Sequence, residues 1–157
     1  MKYKMIIKAN QEEMFDAFSE NFRNEFFMEK GKILPEEKIQ KGFTFQKNVS
    51  KDKRKQQARF ATVKVLMFDK PNKYRVEYTS DRYHKITGIE LKQLDEKKLE
   101  IIVEEVLDKI VNNNGKMEYV SEIKESNEVK RASLWLKFQY KYLARSIRLR
   151  KEKNSQK

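Results

Sequence analysis

Cysteine is absent from this chain of 157 residues, and histidine occurs only once. Without cysteine there is no disulfide framework, no thiolate zinc site and no cysteine nucleophile, and one histidine excludes a multi-histidine metal site. Only four glycines are present, and the glycine-rich fingerprints of phosphate and dinucleotide binding are missing. The sequence therefore predicts no metal and no cofactor, and it favours a binding protein over an enzyme.

Long apolar runs are missing as well. No stretch approaches the roughly eighteen apolar residues of a transmembrane helix, and the apolar part of the start, MKYKMIIKANQEEM, is too short for a signal peptide. We therefore expect a cytoplasmic protein without membrane insertion. The length fits one domain, which we assign to residues 1–150, followed by a frayed basic tail at 151–157.

The chain is basic, with a formal net charge of +12. Residues 128–157 contribute most of the excess, with ten Lys or Arg against two Glu. A basic surface attracts polyanions, and it also keeps a protein soluble without any partner. We interpret the charge mainly as a solubility feature. Binding of a polyanion or nucleic acid stays the third of three function classes.

The N-terminal part shows one strand followed by helical spacing. Residues 3–8 alternate as a short strand, and Asn10 is a good N-cap for a helix with acidic residues in its first turn. Gly31 ends this helix, and Pro35 begins a second, brief one. The first helix carries an apolar stripe that is mainly aromatic: Met14, Phe15, Phe18, Phe22 and Phe26.

From residue 43 the apolar period changes to two, which predicts strands at 43–49, 59–68, 74–80, 85–94, 99–107 and 116–123. Short polar segments join them, so they should be antiparallel neighbours. Helical spacing returns from residue 126 to about 150. The sequence thus predicts an α+β fold of order β-α-α-β6-α, in which a curved antiparallel sheet wraps around a long C-terminal helix.

The C-terminal helix has three faces when wound at 100° per residue. One stripe should lie on the sheet: Val129, Ala132, Leu136, Tyr140, Leu143 and Ile147. The cations Lys130, Lys137, Lys141, Arg145 and Arg148 form a neighbouring wedge.

The third face of this helix is a second apolar stripe containing Trp135, Phe138 and Tyr142, followed by Leu149. Either the chain's own elements cover it, or it is an interface of a homodimer. Nucleic-acid recognition is disfavoured, because helix-turn-helix and RNA-binding sheet motifs are lacking.

The predicted order of elements resembles the START-like (SRPBCC) helix-grip superfamily, which includes polyketide cyclases and lipid-transfer domains. More narrowly, the segments QEEMFDAF, KGFTFQK, YRVEYTSDRYHKITGIEL and LEIIVEEV resemble a family from Gram-positive bacteria, domain of unknown function 3284. The resemblance implies a cupped sheet that grips the long helix, with a cavity between them. Related folds bind apolar small molecules there.

We therefore expect a START-like domain that binds an apolar small molecule between the sheet and the C-terminal helix. The expected lining is Phe18, Phe22, Val76, Tyr78, Ile89, Tyr140 and Leu143. The hydroxyls of Tyr78 and Tyr140 would orient the ligand, since binding pockets combine apolar walls with a few polar anchors. The alternative is an interaction protein, dimeric through the second stripe, whose cavity is filled by its own side chains.

Titratable residues offer no catalytic motif. His84 lies beside Arg82 and Lys85 at a strand start, and we expect it to be an exposed histidine at the rim. One of Glu104 and Glu105 must face the inside of the sheet if their strand is regular.

Overall fold

The computed structural model describes residues 2–49, 60–113, 116–121 and 126–155. Side chains are described within these ranges, except those of residue 3 and residues 109–137. The architecture is α+β, with an antiparallel sheet and two long helices, consistent with a helix-grip-like arrangement. The helices are α1 (Gln11–Lys30) and α2 (Ser126–Ser155). The strands are β1 (Lys2–Lys8), β2 (Thr44–Asn48), β3 (Phe60–Asp69), β4 (Lys73–Thr79), β5 (Tyr83–Gln93), β6 (Lys98–Asn113) and β7 (Lys116–Ser121).

The strands form one sheet in the order β1-β6-β5-β4-β3-β2, with every neighbouring pair antiparallel. β7 pairs with the end of β6 that β1 leaves open: β1 pairs with residues 98–104 of β6, and β7 with residues 108–113. All six strands predicted after residue 43 are present. β6 continues past its predicted end at residue 107 because β7 pairs with the extension.

The predicted second helix is only a 3₁₀ helix, Glu36–Lys38. Its C-cap, Ile39, is in an extended conformation, and its side chain is buried in the core. Burial of Ile39 therefore draws the chain out of helical geometry one turn after Pro35.

Helix α1 begins and ends where its sequence predicts. The side chain of Asn10 accepts a hydrogen bond from the backbone N–H of Glu13, which satisfies one of the free donors of the first turn. At the other end, Gly31 has φ 64°, and its N–H donates to the carbonyl of Phe27. This left-handed conformation favours glycine.

The core lies between the helices and one face of the sheet, which we call the inner face. Ring contacts join α1 to it: Phe22 lies 5.7 Å from Phe45 and 6.1 Å from Tyr74 between ring centroids. The buried strand residues on the inner face are Met5, Ile7, Phe45, Val63, Val65, Tyr74, Val76, Ile89, Leu91, Leu99, Ile101 and Val103.

Helix α2 faces the same core. Of the stripe predicted to lie on the sheet, Tyr140 is buried and Leu143 and Ile147 are half-buried, while Val129, Ala132 and Leu136 lie outside the described side chains. Ala144 is buried as well. The helix continues to Ser155, through most of the segment expected as a tail. Within the described residues, no helix combines the length and the apolar character needed to cross a bilayer.

Candidate functional site

A cavity of ≈ 270 Å³ opens where the C-terminal half of α2, the first turn of α1 and the turn between β5 and β6 meet. We call it the α2 cavity. Its apolar lining consists of Ala9, Met14, Ala144 and Ile147. Met14 and Ala144 are buried and belong to the hydrophobic core, so the apolar floor of the cavity is the surface of that core.

Helix periodicity explains the contribution of α2. Ala144, Ile147, Arg148 and Lys151 stand at positions i, i+3, i+4 and i+7, which share one face of a helix. The small Ala144 leaves room over the floor. The longer side chains of Arg148 and Lys151 extend to the rim.

Hydrogen bonds of Gln93 hold together the segments that border the cavity outside α2. Its Nε2 lies 3.1 Å from the carbonyl oxygen of Ala9 and 3.0 Å from that of Lys98, and its Oε1 accepts the N–H of Gln11 at 2.8 Å. The N–H of Ala9 also donates to the carbonyl of Lys97 at 3.1 Å. One side chain thus joins the β1–α1 connection, the start of α1 and the β5–β6 turn, so the walls that these segments form are preformed.

Charged side chains surround the opening. Four are cationic, Lys8, Lys97, Arg148 and Lys151, and two are acidic, Glu13 and Glu96. The Nζ of Lys151 lies 2.9 Å from Oε1 of Glu13, and this carboxylate raises the pKa of Lys151. Within the described part of the chain, Lys8, Lys97 and Arg148 form no ion pair. The rim therefore has a net positive charge.

The seven residues predicted to line a ligand cavity come together in the core. Phe18, Phe22, Val76, Ile89 and Tyr140 are buried in one cluster, and Tyr78 and Leu143 pack against its edge. The α2 cavity and a second cavity beside Phe27 and Leu34, both bounded by described residues, contain none of the seven in their linings. These side chains form the packed layer that continues from the floor of the α2 cavity.

Polar groups border the same core on the sheet side. The hydroxyl of Tyr78 donates to Oε2 of Glu25 at 3.3 Å, and Lys47 binds Oε1 of Glu25 at 2.6 Å. Burial and, next, the Glu25 carboxylate raise the pKa of Tyr78. Burial together with the charge of Glu105 raises the pKa of Tyr140 to about 12. Both tyrosines therefore keep their protons and can donate hydrogen bonds at neutral pH.

The register of β6 places Glu105 inside and Glu104 outside. Glu105 pairs with Thr87, which pairs with the buried Val76, and residues paired across strands share a face. Glu104 instead forms an ion pair with Arg75 at 3.4 Å on the outer face. The expectation that one of the two glutamates faces inward is confirmed.

His84 differs from the expected exposed histidine. It is half-buried on the outer face, with Nε2 2.8 Å from Oε2 of Glu77 and Nδ1 3.4 Å from Oδ2 of Asp108. The prediction was wrong because a residue at the start of β5 still has neighbours on both sides, β4 and β6. Hydrogen bonding to Glu77 is the main reason that the pKa of His84 is raised, and Asp108 adds to it.

The predicted interface stripe is exposed where its side chains are described. Phe138 is 64% exposed and Tyr142 75% exposed, while Trp135 lies outside the described side chains. Neither of these two side chains is covered by the elements of the chain that the structure describes.

Comparison with known proteins places the chain in a family. The family model described as Domain of unknown function (DUF3284) matches residues 1–123. The chain belongs to this family. A search of the curated proteins found no match. Among solved structures, the crystal structure of protein CV1439 from Chromobacterium violaceum is similar, with 16% identity, coverage of 66% of this chain and 77% of that chain, and a TM-score of 0.35.

The DUF3284 match ends before α2 begins, so α2 and its side of the cavity lie outside the matched residues. None of the residues that border the α2 cavity was among the lining residues predicted from the sequence; those not predicted include Lys8, Ala9, Met14 and Lys97. The available signal was the small Ala144 between the predicted core residues Tyr140 and Ile147, one turn before Arg148. A small residue at that position creates space, but the sequence does not show which segment faces it.

Proposed function

We propose that this DUF3284 protein binds a small molecule with an apolar portion in the α2 cavity, between the C-terminal helix and the end of the sheet. The observation that supports this proposal is the apolar floor of Met14, Ala144 and Ile147 at the base of a ≈ 270 Å³ opening. Ligand sites commonly measure about 300–1,000 Å³ and have mainly apolar walls. The α2 cavity is near the small end of this range, so its ligand is small.

Preformed walls favour binding at this place. The hydrogen bonds of Gln93 fix the positions of Ala9, Gln11 and Lys98 before any ligand arrives. A rigid site loses less conformational entropy when a ligand binds than a flexible one does. Covering the exposed apolar lining, which Ile147 and Ala9 supply because Met14 and Ala144 are buried, then contributes about 25 cal/mol for each Å² of apolar surface removed from water.

A START-like, helix-grip arrangement is part of this proposal. In this arrangement, the seven residues that the sequence predicted as a cavity lining form the packed layer behind the floor of the α2 cavity. A ligand longer than the α2 cavity would reach Phe18 and Tyr140 only by displacing side chains that already contact each other, with 5.4 Å between their ring centroids. Tyr78 and Tyr140 would then supply the hydroxyls that orient it.

The test is an amide chemical-shift titration with 1-hexanol, a neutral probe small enough for the α2 cavity. We expect saturable shifts at Ala9, Lys97 and Ile147, and we expect Ile147→Trp to abolish them because the larger ring fills the space. The control is Leu149→Trp, since Leu149 is 54% exposed on the same helix and outside the cavity lining. Shifts at Tyr78 and Glu105 instead would move the site to the inner face, and the absence of saturable shifts would refute ligand binding.

A second candidate is self-association through α2, which the exposure of Phe138 and Tyr142 favours. Exposed aromatic side chains one helical turn apart are typical of interfaces. If a second copy covers them, sedimentation should show a dimer that dissociates in the Tyr142→Ala variant. A monomer in the wild type at high protein concentration would exclude this candidate.

A further inference from the structure

We infer that the ligand of the α2 cavity is a small amphipathic anion: a carboxylate or phosphate head on a short apolar body. This inference rests on the proposed function, because it names the ligand class of the same cavity. The observation behind it is that apolar and cationic side chains occupy separate levels of one opening. Apolar side chains form the floor, and cations form most of the rim.

Arg148 is the side chain best placed to hold the anionic head. It stands next to Ile147 and one turn after Ala144, it belongs to the cavity lining, and it is exposed. It forms no ion pair with any described residue. A guanidinium presents planar pairs of N–H donors that match the two oxygens of a carboxylate or phosphate group.

Two lysines approach the opening from the other side. Lys8 is the last residue of β1, and Lys97 belongs to the β5–β6 turn. The turn is held in place by Asp95, whose Oδ1 accepts the N–H groups of Lys97 and Lys98 at 2.8 Å each. The ammonium groups of Lys8 and Lys97 form no ion pair with described residues, so they are available to a ligand.

The acidic residues of the lining do not cancel this charge. Glu13 is bound by Lys151 at 2.9 Å, so this pair is neutral as a unit. Of the remaining charges, three are cationic (Lys8, Lys97 and Arg148), and one is acidic (Glu96). A cationic ligand would meet net repulsion, and a neutral ligand would use only the floor. An anion with an apolar body can contact both the apolar floor and the cationic rim.

The experiment is isothermal titration calorimetry of the full chain with four probes that have six carbons each and different heads: hexanoate, hexyl phosphate, 1-hexanol and hexylammonium. Inorganic phosphate is the head-only probe. We expect hexanoate or hexyl phosphate to bind about tenfold more tightly than 1-hexanol, the effect of one charge-assisted hydrogen-bonded pair. Which of the two binds more tightly distinguishes a carboxylate from a phosphate head.

The variant for this test is Arg148→Gln, and the matched control is Arg145→Gln, an exposed arginine of α2 outside the lining. Arg148→Gln should weaken hexanoate binding about tenfold, by loss of one charge-assisted pair, and leave 1-hexanol binding within about twofold. Arg145→Gln should leave both unchanged. Raising the ionic strength should weaken the binding of hexanoate and leave the binding of 1-hexanol unchanged, because salt screens exposed charges.

The two proposals fail in different ways. If neither hexanoate nor hexyl phosphate binds more tightly than 1-hexanol, or if hexylammonium binds more tightly than both anions, the anionic head is overturned and the proposed function stands. Inorganic phosphate binding as tightly as hexyl phosphate would overturn the apolar body. If none of the six-carbon probes binds, the proposed function itself is wrong.

Discussion

The ring of Phe18 meets the ring of Tyr140 edge to face, with 5.4 Å between centroids and 85° between the ring planes. This contact joins the middle of α1 to α2, and both rings belong to the core cluster. Edge-to-face pairs contribute about 0.5–1.5 kcal/mol beyond the area they bury. The two helices therefore share one core, and the position of α2 over the α2 cavity depends on it.

Tyr140→Ala should lower the free energy of unfolding by about 3–5 kcal/mol, the cost of truncating a large buried aromatic side chain. Tyr142→Ala, two residues further along, is the control. Tyr142 is 75% exposed against 9% for Tyr140, so its truncation in the monomer should change stability by about 0.5 kcal/mol or less. Chemical denaturation measures both. Equal losses would show that the described register of α2 is incorrect.

Gln93→Leu should destabilise the fold by about 1–3 kcal/mol, because it leaves the carbonyl of Ala9 and the N–H of Gln11 without their side-chain partner. Since Gln93 joins three segments around the α2 cavity, the same substitution should weaken 1-hexanol binding. Gln139→Leu is the control, because Gln139 is exposed on α2. Full retention of stability and binding in Gln93→Leu would mean that this network does not hold the cavity open.

His84 predicts a pH dependence of stability. Its pKa is raised above the ordinary 6.5, mainly by the hydrogen bond to Glu77 and also by Asp108. A group with a raised folded-state pKa binds protons more tightly in the native state, so its contribution is complete below pH 6.5 and is lost as pH rises through the raised pKa.

Urea denaturation of the wild type should therefore show a midpoint that declines as the pH rises above 6.5. His84→Gln should flatten this part of the profile, because glutamine does not titrate. A wild-type midpoint that rises over the same interval, with His84→Gln showing an identical rise, would contradict the ion-pair geometry around His84.

The strands and α1 could be predicted because their signals are local. Alternation at β3 and β4 marks the buried Val63, Val65 and Val76, and the aromatic stripe of α1 marks Phe15, Phe18 and Phe22. β6 was predicted too short because its end is defined by pairing with β7, and pairing partners are not visible in the periodicity of one strand.

The candidate site was harder to predict because it also depends on contacts between segments that are distant in the sequence. The predicted lining residues are strongly apolar, and such residues pack against each other before they leave a cavity open. The α2 cavity is instead bounded by Ala9, Lys97 and Ile147, which belong to three segments far apart in the chain. Tertiary hydrogen bonds of Gln93, an ordinary residue at the end of a strand, join the first two of these segments.

Intermolecular nuclear Overhauser effects from the methyl group of bound hexanoate would locate the ligand in the α2 cavity. We expect contacts to the side chains of Met14, Ala144 and Ile147, because these form the floor of the α2 cavity. Contacts to the exposed rings of Phe138 and Tyr142, or to Tyr78 on the inner face, would contradict this location.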